Sequence, residues 1–134
     1  GAQFLPANRR KMRSVSKRNL LTRPVRPSAL SRLASMQEVQ KESLIDANDG
    51  MGIWIVRIPP GQRDTVPNLA LGAGQSILVL TGALIHANAR FGRWSCMFVS
   101  RDEHGFMMQA GDTGAEVLLM QYPRRNDRLE SRVP

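Results

Sequence analysis

Two histidines, His86 and His104, and one cysteine, Cys96, are the side chains from which metal, acid–base or nucleophilic chemistry could be built in this chain. None has the company that such chemistry needs. The sequence holds no defensible Ser-His-Asp spacing, no Cys/His cluster and no Gly-rich phosphate loop. Gly72-Ala73-Gly74-Gln75 resembles a phosphate turn only superficially, because no helix follows it. Asp46, Asp49, Asp64, Asp102, Glu103 and Asp112 fall in loops or beside turns, where carboxylates are solvated and shape the turn. His104 beside Asp102 and Glu103 reads as part of a solvated rim loop. Cys96 lies in the apolar run SCMFV and reads as a small buried hydrophobe. A single cysteine excludes an internal disulfide and fits a reducing compartment.

Charge is distributed on one side. Residues 1–36 carry nine basic residues, Arg9, Arg10, Lys11, Arg13, Lys17, Arg18, Arg23, Arg26 and Arg32, and no acid. The remaining residues carry ten basic and eleven acidic groups, so a nearly neutral body bears a strongly basic arm. Such arms bind polyanions: nucleic acid, an anionic membrane surface or an acidic protein face. Arginine outnumbers lysine sixteen to three, and its planar fork suits bidentate contact with phosphate. The arm is also Arg- and Ser-bearing and acid-free, as mitochondrial transit peptides are, which points to an intracellular setting such as a mitochondrial or plastid interior. No apolar run approaches the roughly 18 residues that a membrane-spanning helix needs.

The elements that must position these residues are short. With 134 residues there is room for one domain and an appendage. Residues 1–27 have no sustained period, and Pro24 and Pro27 break any helix, so they read as an extended arm. Ser28 is placed as an N-cap, with Leu30, Leu33, Met36 and Val39 at helical spacing, which predicts a helix from Ser28 to Gln40 within a 28–42 helix and linker. Strands are predicted at Ser43–Ala47, Met51–Ile58 and Leu69–Leu71, with a polar loop from Gln62 to Asn68. Gln75–Gly82 reads as a buried strand that turns tightly at Gly82-Ala83 into Leu84–Ala87. A turn at Asn88–Gly92 leads to Trp94–Val99. Phe106–Gln109 and Ala115–Tyr122 follow, separated by Ala110-Gly111-Asp112-Thr113-Gly114. Met97, Met107, Met108 and Met120 alternate through these strands as core filling. The fold class expected is all-β, a small barrel or jelly roll over 43–123, preceded by the arm and one short helix and followed by a charged tail, 124–134.

From Gly52 to Pro123 the chain resembles the cupins. IVRIPPG looks like a cupin's first strand and its turn. SILVLT, with Gly82 seven residues after Gln75, is similar to the first cupin motif. GRWSCMFVSRDEH matches the length of the second, with Gly92 at its start and His104 at its histidine position, and GAEVLLMQYPR resembles the closing strand. In metal-bearing cupins, three histidines and a glutamate hold a divalent ion. Here the paired histidine positions fall on Leu69-Ala70-Leu71 and the glutamate position on Gln75, so His104 alone is retained. Leucine cannot ligate, and a Gln carbonyl is a poor ligand for transition metals. The resemblance therefore implies a cupin-like barrel with no metal cofactor, in which Gln75→Ala costs little function while a charge at Leu78 or Leu80 unfolds the barrel. It also implies pairing of two copies through their sheets.

Two function classes remain. In one, the chain is a non-catalytic interaction module, a subunit of a larger assembly anchored by its arm to RNA, DNA or an acidic neighbour. In the other, it is a small-molecule-binding or metal-dependent cupin, with Gln75, His104, His86, Leu69 and Leu71 around the barrel pocket.

Overall fold

The computed structural model describes residues 24–65, 73–100 and 106–123. The strand expected at Leu69–Leu71, His104 with its rim loop, the arm through Arg23 and the charged tail lie outside the described residues. One helix and seven strands follow in chain order: α1 (Leu30–Ser35), β1 (Gln40–Asp46), β2 (Gly52–Ile58), β3 (Arg63–Thr65), β4 (Gln75–His86), β5 (Ala89–Phe91), β6 (Cys96–Val99) and β7 (Met107–Gln121). The strands form one antiparallel sheet of order β1-β2-β7-β4-β5, with β3 joined to β7 and β6 to β4. Among the described residues the fold is all-β with one short helix, as expected.

A ribbon of β4 and β7 organises the sheet. These strands have 12 and 15 residues and pair from Gln75↔Gln121 to Ile85↔Gln109. The Gln75 half of β4 carries β6, and the β7 segment facing it carries β2 and then β1. The His86 half carries β5, and the β7 segment facing it carries β3. Inner faces from both halves meet in one core of Val56, Ile58, Ile77, Val79, Leu84, Met97, Val99, Met108, Ala110, Ala115, Val117 and Leu119.

This ribbon corrects the expected tight turn at Gly82-Ala83 and the expected break at Ala110–Gly114. Both glycine-bearing stretches are bulges inside continuous strands. The register slips between Val79 and Thr81 and again between Gly82 and Leu84. Gly82 and Gly114 take positive φ, 73° and 85°, at the slip. A Cβ on Gly82 would collide with the Gly114 carbonyl oxygen, and one on Gly114 would stand 2.9 Å from the Leu33 Cβ. Glycine is thus needed to bend the ribbon and let α1 approach. The bulge also changes the phase of burial: Met108 and Ala110 face the core before it, Ala115, Val117 and Leu119 after it.

Other boundaries move for local reasons. The chain reverses at Ala87-Asn88, φ 49° and 63°, in the two-residue hairpin geometry that demands positive φ at both positions, rather than across Asn88–Gly92. Trp94 has φ 70°, so β6 begins only at Cys96. The expected loop at Gln62–Asn68 contributes β3, which pairs Arg63↔Gln109 to Thr65↔Met107. Met97 and Met108 fill the core, whereas Met107 is 44% exposed and Met120 half-buried.

The helix is shorter than Ser28–Gln40, and Ser28 is not its N-cap. Ala29 takes that place without a side-chain hydrogen bond. The polar groups of Ser28 are directed to the sheet instead. Its N–H donates to Glu116 Oε1 at 2.8 Å, its hydroxyl donates to Glu116 Oε2, and its carbonyl accepts from Thr81 Oγ1 at 2.8 Å. Arg57, Glu116 and Thr81 are register partners across β2, β7 and β4, with Arg57 Nε 2.7 Å from Glu116 Oε2. Leu33, fully buried, anchors α1 over β7. Six residues are too few for a helix to persist alone, so this packing is what holds it.

Two outcomes follow. Glu116→Ala removes the buried partner of Arg57, leaving it the half-exposed Glu42, and should lower unfolding free energy by about 3 kcal/mol in urea titration. Gly114→Ala imposes a positive φ on an L side chain and presses on Leu33, and should cost about 1–3 kcal/mol in the same titration. A variant as stable as the parent would show that the bulge relaxes without glycine.

Candidate functional site

Gln75 opens β4 and is fully buried. Its register partners are Val99 on β6 and Gln121 on β7, so it stands in the middle of a three-strand row. Its Nε2 donates to Gln121 Oε1 at 2.8 Å, and Gln121 Nε2 donates to the Gly50 carbonyl at 2.7 Å. The amides thereby tie β4 and β7 to the turn between β1 and β2. Ser76 and Tyr122 hydroxyls, 2.7 Å apart, continue the tie on the adjacent position.

His86 ends the same strand. It is exposed, and its ring stacks obliquely on Phe106 with centroids 5.3 Å apart. Ten residues lie between it and Gln75 on β4, a contour of roughly 30 Å, so these two candidates do not share a pocket. Leu69, Leu71 and His104 lie outside the described residues. Cys96 is half-buried, and desolvation pushes its thiol pKa up, which disfavours the nucleophilic thiolate.

The donor set implied by a metal-bearing cupin does not fit this chain. Leucines stand at two ligand positions, and the amide at the third is committed to Gln121 inside the sheet. Among the described residues no three His, Cys, Asp or Glu side chains come together.

The basic groups are arranged differently. Of the nine arm cations, Arg26 and Arg32 are described, both exposed; Arg9, Arg10, Lys11, Arg13, Lys17, Arg18 and Arg23 lie outside. Arg32 Nη1 donates to Ser28 Oγ at 3.3 Å. Where the Glu116 tie lays this segment over the sheet, a cleft of about 420 Å³ opens between Ser28, Ala29 and Leu30 on one side and Thr81, Gly82, Arg90, Arg93 and Thr113 on the other. Arg90 and Arg93 were not singled out from the sequence. Their signal was available: residues 65–101 contain three arginines and no acid or lysine, a second cationic stretch inside the neutral body.

No family model matches the chain, and no curated protein matches it. Solved structures do. A crystal structure of Rhodobacter sphaeroides SigE in complex with the anti-sigma ChrR is similar at 19% identity and a TM-score of 0.51, over 62% of this chain and 43% of that one. This chain therefore spans less than half the length of that neighbour. A structural-genomics protein of unknown function from Rhizobium leguminosarum bv. viciae 3841 is similar at 19% identity and a TM-score of 0.50, over 78% of this chain and 100% of that one. The likeness is one of fold alone. Among the described residues no helix is long and apolar enough to cross a membrane.

Because the Gln75 amide is a structural tie, Gln75→Ala should leave Gln121 Oε1 without its donor and cost about 1–3 kcal/mol in thermal or urea unfolding. Metal content, measured on protein purified without chelator, should be substoichiometric and the same in parent and variant.

Proposed function

We propose that this chain is a non-catalytic, cupin-like interaction domain that binds an acidic protein partner, another subunit of its assembly, through the basic residues around its N-terminal segment. One observation carries this reading. The position from which a cupin would present its glutamate ligand holds a buried, hydrogen-bonded amide, while Arg90 and Arg93 line an open cleft beside the N-terminal segment. Among the described residues Arg26, Arg32, Arg90 and Arg93 form no ion pair, in contrast to Lys41 with Asp64 and Arg57 with Glu42 and Glu116. Exposed guanidinium groups without local carboxylates attract a partner's carboxylates and speed encounter with it. The sequence before Arg26 carries seven further basic residues, Arg9 to Arg23, and no acid.

A protein partner is favoured over RNA or DNA. Ala29 and Leu30, the latter 50% exposed, place apolar surface among the cations, which suits a folded or peptide partner better than a phosphate backbone. The fold neighbour ChrR is an anti-sigma crystallised in complex with SigE, a protein–protein assembly, and this supports the same choice.

Fluorescence anisotropy with a labelled deca-glutamate peptide, and in parallel with a labelled ten-nucleotide RNA, tests the reading. Peptide affinity should fall about tenfold between low and moderate salt and fall again when Arg9, Arg10, Arg13, Arg26 and Arg32 are replaced by glutamine. Salt-insensitive peptide binding, or tighter binding of the RNA at equal charge, would overturn it.

A further inference from the structure

We propose that the cleft bounded by Ser28, Leu30, Thr81, Arg90, Arg93 and Thr113 is a carboxylate-recognition site, taking an acidic side chain of the partner together with an adjoining aliphatic one. This deepens the preceding reading and rests on it.

Three features distinguish the cleft from a generally basic surface. The first is that one of its arginines is stacked on a ring and the other lies close beside the turn backbone. Arg93 lies over the Trp94 ring, with its guanidinium carbon 4.9 Å from the ring centroid. Trp94 is itself fixed by its left-handed backbone, φ 70°, and by donation of its N–H to the Val79 carbonyl at 2.8 Å. Arg90 is folded over Gly92, its Nη1 3.3 Å from where a Cβ there would stand. Side chains already ordered lose less freedom on engaging a ligand.

The second is that these guanidinium groups have no carboxylate partner among the described residues. Two planar donors without a counter-charge on one cleft match the two oxygens of a carboxylate. The oxygens of Glu116, buried beside Ser28, are taken by Arg57 and Ser28.

The third is the remainder of the lining. Thr113 contributes a buried hydroxyl that has no hydrogen-bond partner among the described residues. Ala29 and Leu30 supply an apolar wall. At about 420 Å³ the cleft is larger than a single carboxylate needs, and its apolar side accommodates a neighbouring aliphatic side chain. A phosphate would use the arginines but leave Leu30 without a contact.

The test uses the full chain, ¹⁵N-labelled, with the capped peptide Ac-Leu-Glu-Leu-NH2, its glutamine counterpart and inorganic phosphate as separate titrants. The glutamate peptide should shift the amides of Thr81, Gly82, Phe91 and Thr113 saturably. R90Q and R93Q, both at exposed positions, should each weaken it at least fivefold while preserving spectral dispersion, and R93K should recover less than the full affinity. Equal binding of the glutamine peptide, tighter saturation by phosphate at the same amides, or unchanged affinity in R90Q/R93Q would overturn the cleft. Replacement of Arg9, Arg10, Arg13, Arg26 and Arg32 by glutamine separates the two proposals. If that variant abolishes deca-glutamate binding while R90Q/R93Q leaves both peptides bound, the cleft fails and the interaction domain stands.

Discussion

Glu116 is the constraint on which the arrangement of the molecule depends. A carboxylate with no solvent exposure must be neutralised and hydrogen-bonded or it will not stay folded. Arg57, its register partner on β2, meets the first demand, and Ser28 meets the second by donating from both backbone and side chain. Thr81 closes the set from the third strand by donating to the Ser28 carbonyl. A charge pair within the sheet thus becomes the fastening for a segment that lies outside it. Leu33 follows that segment onto β7, and the close approach requires Gly114 beneath it. The bulged ribbon, the short helix and the cleft beside Arg90 and Arg93 all lie around this fastening.

The two ends of β4 have different surroundings. At Gln75 the sheet is sealed by amides that bond to each other and to the Gly50 carbonyl, which stabilises the row without leaving a donor directed at a ligand. Beyond the bulge, at Thr81 and Gly82, the same strand forms one wall of an open cleft, with cations on the hairpin that follows. Between these ends the core is filled, among the described residues, by aliphatic side chains and methionines.

Much of this was legible in the residues. Runs of aliphatic and β-branched residues through Ile53–Ile58, Ser76–Val79 and Ala115–Gln121, with glycine and asparagine punctuation, are enough to read an all-β fold, and Leu69, Leu71 and Gln75 stand where the resemblance to cupins places ligands. Gly82 and Gly114 were visible as special positions, but a positive φ serves a turn and a bulge equally well. Only the pairing partner across β7 distinguishes them, and that partner is some thirty residues away. Ser28 showed the same ambiguity: its hydroxyl suits an N-cap, and a buried carboxylate 88 positions later took it instead.

Composition and pattern by themselves determined the fold class and the neutral body with its cationic arm, because each depends on residue type and near-neighbour spacing. Tertiary structure alone decided that Glu116 would bind Arg57 and Ser28, that two strand pairs would fuse into one bent ribbon, and that Arg90, Arg93 and Thr113 would line one cleft with Ser28 and Leu30. Those outcomes come from contacts between residues distant in the chain, where burial forces each polar group to find a partner and no local pattern records which one it finds.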